Sequence, residues 1–219
     1  MQTLILRTRA ALLFAAISLA GLGVGALAIT RLMLPHSGPL GDRMGELTCL
    51  QMAFTSERAS SLIASFSAEA QAAMLALLVP GDVTFAWSYG LILAGLVGLL
   101  ARRLDGAWLR MGAVAMWFPL VASVLDCIED VFLFRMVSFI IAENGAAASL
   151  PATLPLFAST AASLKYIFLC VLTPLYATGG IIQGLRSDRS VSALIIYALL
   201  LFAIISIVAR PLQQIPACF

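Results

Sequence analysis

Five stretches of this chain are apolar for the length that a helix needs to cross the roughly 30 Å hydrocarbon core of a bilayer, about 20 residues. They lie near 10–31, 83–101, 111–142, 155–183 and 191–209. Each is a continuous apolar run, without the in–out alternation of a barrel strand. Backbone inside a bilayer must satisfy its own polar groups, so the runs are expected to be helices. The chain is 62% hydrophobic and 11% charged, against about 25% charged for soluble domains. The expected fold is an all-α integral membrane protein, a five-transmembrane-helix bundle forming a single multi-pass domain over 1–219.

Basic residues set the orientation of such a bundle. Arg7 and Arg9 precede span one, Arg102, Arg103 and Arg110 lie between spans two and three, and Arg186 and Arg189 between four and five. All fall on one side if the N-terminus is cytoplasmic. Arg31, Arg43, Arg58 and Arg210 are spread over much more chain on the other side. An odd number of spans then leaves the C-terminus extracytoplasmic, in a plasma membrane of the bacterial type. Ala26-Leu27-Ala28 resembles a signal-peptide cleavage site. However, the apolar run continues to Leu34, broken only by Arg31, and exceeds the 7–15 residues of a signal-peptide core. An uncleaved anchor is expected.

The most expensive residues stand in span three, where 125–130 reads LDCIED. An acid at the bilayer centre costs about 2.5–3.5 kcal/mol on insertion scales. At 1.5 Å per residue, Asp126 lies about 24 Å above Arg110, Glu129 about 28 Å and Asp130 about 30 Å. Lys165 lies about 31 Å from Arg186, Asp82 about 30 Å from Arg102, Arg31 about 33 Å from Arg9, and Arg210 about 31 Å from Arg189. The charges thus form one layer at the outer interface, with Arg31, Lys165 and Arg210 offsetting Asp82, Glu129 and Asp130. Asp126 is about one turn deeper and the acid least matched in height by a base. Lys165 is expected to pair with Glu129 or Asp130.

At 100° per residue, Asp126, Glu129 and Asp130 share one helix face, continued below by Ser123 and Pro119. Pro119 should kink the helix and free the carbonyl of Ala115. Span four has its own stripe, Ser159, Ser163, Tyr166, Cys170 and Thr173, ending at Pro174. The pairs Gly21/Gly25, Ala94/Gly98 and Gly180/Gly184 allow close helix approach. Spans three and four stay apolar beyond the acids, in VFLFRMVSFIIA and LPLFASTAAS, so something must cover their ends. Loop 35–80 is the natural cover. Thr55 or Ser56, then Ser67, are expected helix N-caps, with Glu57 and Glu69 in the first turns. Residues 46–79 are therefore read as a short extracytoplasmic helical cap, with Asp82 capping span two after Pro80-Gly81.

The chemistry that is absent also matters. The sequence lacks HExxH, G-x-S-x-G, Walker A and GxGxxG, and its one histidine is His36. The four cysteines have no metal spacing. Cys49 and Cys218 fall on the outer side, where a disulfide is permitted; Cys127 and Cys170 are read as packing residues. No catalytic residue, cofactor or metal site is assigned. The net charge of +2 offers no surface to nucleic acid. The expected partners are the lipid bilayer and a membrane protein or a second copy of the chain. The polar cluster Asp126, Glu129, Asp130, Lys165, Ser123 and Tyr166 is the candidate site, with Arg31, Asp82 and Arg210 as the outer charged layer. The leading expectation is a non-enzymatic accessory or stabilising component. The alternatives are a small proton- or cation-linked conduit using Asp126, and an intramembrane lipid-modifying enzyme.

Overall fold

The computed structural model describes residues 2–143, 150–188, 190–214 and 218, with side chains left aside at 2–8, 42, 44, 207–208 and 210–214. Every regular element among them is helical. The elements are α1 (Gln2–Leu27), α2 (Leu34–Ser37), α3 (Met44–Gln51), α4 (Ser56–Ala64), α5 (Ala68–Ala76), α6 (Val83–Ala101), α7 (Gly106–Ala115), α8 (Phe118–Ala142), α9 (Thr153–Tyr166), α10 (Thr173–Ser187) and α11 (Val191–Gln214). Four helical runs among the described residues are long and apolar enough to cross a membrane: Arg9–Ser37, Ala68–Ala101, Gly106–Ala142 and Thr153–Ser187. Val191–Ser206 is a shorter apolar helix. Large apolar side chains stand on the outside, among them Phe202 (72% exposed), Leu175 (70%) and Leu12 (66%). A soluble surface rarely presents so much apolar side chain in contiguous patches; lipid would cover it at no cost.

Three of these runs contain a widened π-helical turn, over Ala28–Met33, Leu77–Asp82 and Ile167–Leu172. Each lies at a proline. Pro35 and Pro174 follow two residues behind their turns and Pro80 sits inside its own. A proline ring collides with the carbonyl four residues back and offers no N–H. Widening the turn lets the helix pass the obstacle unbroken, as π-bulges do. Within the widened turns the Leu34 N–H reaches the Ile29 carbonyl five residues back, and the Phe168 carbonyl accepts both the Thr173 N–H and, at 2.8 Å, the Thr173 hydroxyl.

This corrects the expected boundaries. Pro80-Gly81 does not start a new helix, so α5 and α6 form one run and Asp82 caps nothing; its backbone is helical and its side chain makes no capping bond. The first run likewise continues past Arg31 to Ser37. The expected kink at Pro119 is a break at Met116–Trp117, after which Pro119 stands in the first turn of α8.

The first and second runs pack most closely. Ser18 donates to the Ile92 carbonyl at 3.2 Å. Gly21 lies against the backbone of Ser88 and Ile92, and Gly95 against that of Phe14 and Ser18. Gly25 meets Ser88 and Gly98 meets the Phe14 ring, while Gly180 faces Leu100 and Leu104 and Gly184 faces Tyr197. Arg103, after α6, pairs with Asp188 at 2.5 Å and reaches Ser192 at the start of α11. The Ser190 N–H and hydroxyl, with the Arg103 guanidinium, hold the Asp188 carboxyl below the usual carboxylate range.

At the other end, α3, α4 and α5 lie on the ends of α8 and α9. Leu50, Ile63, Phe66 and Met74 are buried with Leu133, Met136, Val137, Ile140 and Ala158. Local chemistry ends these short helices as expected. The Thr55 hydroxyl accepts from the Arg58 N–H at 3.3 Å, and the Ser67 hydroxyl from the Ala70 N–H at 3.2 Å. Phe54 adopts a left-handed φ of 52°, and its N–H donates to Ser159 Oγ at 3.0 Å. Cys49 is joined to Cys218 by a disulfide across a sequence separation of 169, which ties α3 to the chain beyond α11.

Arg43 clasps α3 to the end of α4. Its guanidinium donates twice to Glu46, at 2.8 and 2.5 Å, and once to the Ser65 carbonyl at 2.8 Å. These bonds hold the Glu46 carboxyl below its ordinary range. A depressed carboxylate stabilises the fold above its unfolded pKa, about 4.3, and that contribution is lost as pH falls through the folded value. Acidification is therefore expected to lower the hydrogen-exchange protection factors, that is, exchange corrected for its intrinsic rate at each pH, over residues 44–66 in the parent. Glu46→Gln should exchange faster at neutral pH and show no further acid step; an unchanged acid step would assign it to another group.

Candidate functional site

The acids of α8 meet the lysine of α9 inside the bundle. Lys165 Nζ donates to Asp126 Oδ1 at 2.5 Å and to Glu129 Oε2 at 2.6 Å. Tyr89 of α6 donates its hydroxyl to the other Asp126 oxygen at 2.8 Å. Glu129 and Asp130 have no exposure, and Asp126 and Lys165 are 5% exposed. Helix spacing explains the convergence. Asp126, Glu129 and Asp130 share one face of α8, and Asp82, Phe85 and Tyr89 share one face of the second run, at offsets of three and four. Asp82 ends its π turn and lines the same cleft as Asp126 and Lys165.

Close backbone approach places α6 against α8 just below this centre. Ser123 donates to the Ala86 carbonyl at 2.7 Å and to the Pro119 carbonyl at 3.0 Å. Gly90 faces Ser123 and the Pro119 carbonyl, so no side chain keeps the helices apart. Ser123 is thus a pin between helices. Tyr166 donates to Gln51 Oε1 of α3 at 2.9 Å, so it faces the short helices. Ser163 donates to the Ser159 carbonyl within its own helix.

The expected layer of charge is only partly a cluster. Asp82, Asp126, Glu129, Asp130 and Lys165 come together. Arg31 does not: it is exposed and forms no ion pair among the described residues. The Arg210 side chain, and Arg189, lie outside the described residues. Lys165 takes Glu129, one of its two expected partners, and not Asp130. Asp126, expected to be the unmatched acid, is instead held by Lys165 and Tyr89. Sequence reasoning missed Tyr89 and Gln51. Counting three residues on from Asp82 to Phe85, and four more, would have found Tyr89; nothing in the sequence points to Gln51.

Charge does not balance within the centre. One ammonium faces four carboxylates, so full ionisation would leave three negative charges uncompensated. Glu129 Oε1 and both Asp130 oxygens are buried with no hydrogen-bond partner. Buried acceptors of this kind are costly unless a donor or cation reaches them. Among the described residues no group of His, Cys, Asp and Glu is arranged to hold a metal ion. Protons on these carboxyls are then the simplest compensation.

The centre opens on one side. A cleft of about 650 Å³ is bounded by Asp82, Asp126, Lys165 and Tyr89 on one wall, Thr48 and Gln51 of α3 above, and Ile29, Leu169, Ile205 and Ser206 on the remaining walls. The disulfide at Cys49 holds α3 in this position, next to Thr48. Glu129 and Asp130 stand behind the wall. No protein-family model, curated protein or solved structure matches this chain.

Proposed function

We propose that this is a five-span plasma-membrane protein, N-terminus cytoplasmic, whose buried acids form the proton-binding centre of a small proton-linked carrier. The carrying observation is the charge imbalance: three buried carboxylate oxygens without donors, directly behind an open cleft whose wall holds Asp126 and Lys165. Intramembrane ionisable groups that face a cavity mark ion and proton pathways. Asp126 and Asp82 would exchange protons with the cleft, Asp130 and Glu129 would store them, and Lys165 would hold the remaining negative charge in place.

The topology rests on parity. Cys49 and Cys218 are bonded, so both must lie on one side of the membrane. The chain between them then crosses an even number of times. The second, third and fourth runs supply three crossings, and α11 supplies the fourth. With α1, this supports five spans. Disulfides persist in oxidising compartments, which supports placing both cysteines outside, the N-terminus inside, and α3 to α5 as an extracytoplasmic cap. Arg103 and Asp188, paired at the opposite end, then lie at the cytoplasmic face. Reporter fusions within 35–80 and at the C-terminus should both read extracytoplasmic.

A second reading, an accessory or stabilising subunit, is favoured by the buried Lys165–Glu129 pair and by the hydrophobic cluster beneath α3 to α5. Infrared difference spectra of lipid-embedded protein between about pH 5 and pH 9 separate the two. The carrier reading expects protonated-carboxyl bands that change over this range and lose intensity in Asp130→Asn or Asp82→Asn. Spectra that show no carboxyl titrating in the parent, or bands untouched by either variant, would leave the closed structural centre as the better account.

A further inference from the structure

The cleft reads a chemical class as well as a proton. Its charged wall is acidic on balance. Lys165, the basic residue there, is committed to Asp126 and Glu129 at 2.5 and 2.6 Å. Asp82 forms no ion pair among the described residues, is only partly buried, and faces the cleft. Behind it, both oxygens of the fully buried Asp130 lack partners, so the negative potential at Asp82 is backed by further unsatisfied acceptors. An anion would meet this field as repulsion, whereas a cation completes it.

The remaining walls describe the rest of the ligand. Phe85 and Tyr89 stand one and two turns along from Asp82, edge to face with centroids 6.0 Å apart. Aromatic faces beside a carboxylate suit an organic cation, whose charge the ring quadrupole attracts and whose C–H surface it covers. A small metal ion would surrender its water to these walls without receiving enough oxygen ligands in return. Ile29, Leu169 and Ile205 supply apolar surface across the cleft. The volume, about 650 Å³, falls within the roughly 300–1,000 Å³ of small-molecule sites.

We infer that the cleft binds an amphipathic organic amine in its protonated form, the ammonium head on Asp82 beside Phe85 and Tyr89 and the apolar tail against Ile29, Leu169 and Ile205. This names a substrate class for the proton-linked carrier and rests on that reading for its physiological meaning, but binding itself does not require transport. A charge-assisted N–H···O bond to Asp82 fixes the head, and the tail removes apolar wall from water. An amine is also a reasonable exchange partner for protons, since each positive charge that enters relieves the same uncompensated acids.

The test compares three probes of equal chain length at neutral pH: octylammonium, octanol and octanoate. Titration calorimetry is run on the full chain in zwitterionic lipid nanodiscs, with empty discs subtracted. Saturable octylammonium binding is expected, at least about tenfold tighter than either of the others. Asp82→Asn should weaken it by at least about tenfold, and Glu57→Gln, on the far exposed face of α4, should leave it unchanged. Ser206→Trp fills the cleft without touching a charge and should abolish binding, which keeps the test decisive if Asp82→Asn fails to fold. Octanol binding as tightly as octylammonium would reduce the cleft to an apolar groove. Tightest binding of octanoate would show that Lys165 sets its sign. Undiminished octylammonium binding in the folded Asp82→Asn or Ser206→Trp protein would place the ligand elsewhere. Any of these three overturns the inference. Failure here with carboxyl titration intact would leave the proton-binding reading standing; amine binding without titration would leave the ligand class standing alone.

Discussion

Lys165→Met is expected to cost about 3–5 kcal/mol of stability, the largest loss from any single charge change in this chain. The substitution keeps the length of the side chain and removes its charge. Asp126 and Glu129 then lose the donor that each accepts from at 2.5 and 2.6 Å, and four acids remain without a base among them. Removing one partner of a buried pair leaves an uncompensated buried charge, which is worse than removing both. The triple variant Lys165→Met/Asp126→Asn/Glu129→Gln should therefore melt above Lys165→Met alone, although it carries more substitutions. Thermal unfolding in lipid nanodiscs measures both. A triple variant that loses the sum of the single-variant losses would show that these residues do not act as one unit.

The second large effect belongs to the contact of α1 with α6. A methyl group at Gly21 would stand 2.8 Å from the Ser88 carbonyl oxygen and 2.9 Å from the Ile92 nitrogen, and one at Gly95 would stand 2.6 Å from the Phe14 carbonyl oxygen. These are backbone atoms and cannot turn aside as a side-chain end can. Gly21→Ala should cost about 1–3 kcal/mol through overpacking, and Gly95→Leu more. Gly23, two residues away on the same helix, has nothing within 4 Å of the added carbon. There an alanine should stabilise by about 0.4–1 kcal/mol, since it restricts the unfolded chain and favours helix. Equal effects at Gly21 and Gly23, again read by thermal unfolding, would show that α1 does not pack on this face.

Local rules and long-range register explain what was legible. Thr55 and Ser67 were readable as caps because an N-cap bonds a backbone N–H three residues on, within its own turn. The shared face of Asp126, Glu129 and Asp130 follows from helix geometry alone. The apolar ends of α8 and α9, on which α3 to α5 pack, were legible because those runs continue past the acids. Asp82 was misread because Pro80-Gly81 looks like a boundary. A π turn lets the backbone pass Pro80 without ending, and the gain is made in neighbouring packing, not in the local sequence. The height of Lys165 was overestimated for a related reason. Residues 167–172 form a π turn, which spends more residues per turn than the straight α-helix used to count up from Arg186. That lowers the lysine by one residue's rise, about 1.5 Å; its long flexible side chain spans the rest of the gap to Asp126. Tyr89 and Gln51 depend on which helices become neighbours, and no local pattern carries that.

The bond between Cys49 and Cys218 makes most of the protein a covalent ring. A single backbone cut anywhere from 50 to 217 opens the ring but leaves one molecule, whose pieces separate only after reduction. The helix α1 hangs outside the ring on the stretch that precedes Cys49. A cut there releases it from every covalent tie, and what then holds it is its packing in the bundle, chiefly the bare backbone contact of Gly21 and Gly95 with α6. The chain has thus secured the charged wall of its cleft twice, by packing and by sulfur, and its first run, which carries Ile29 on the facing wall, only once.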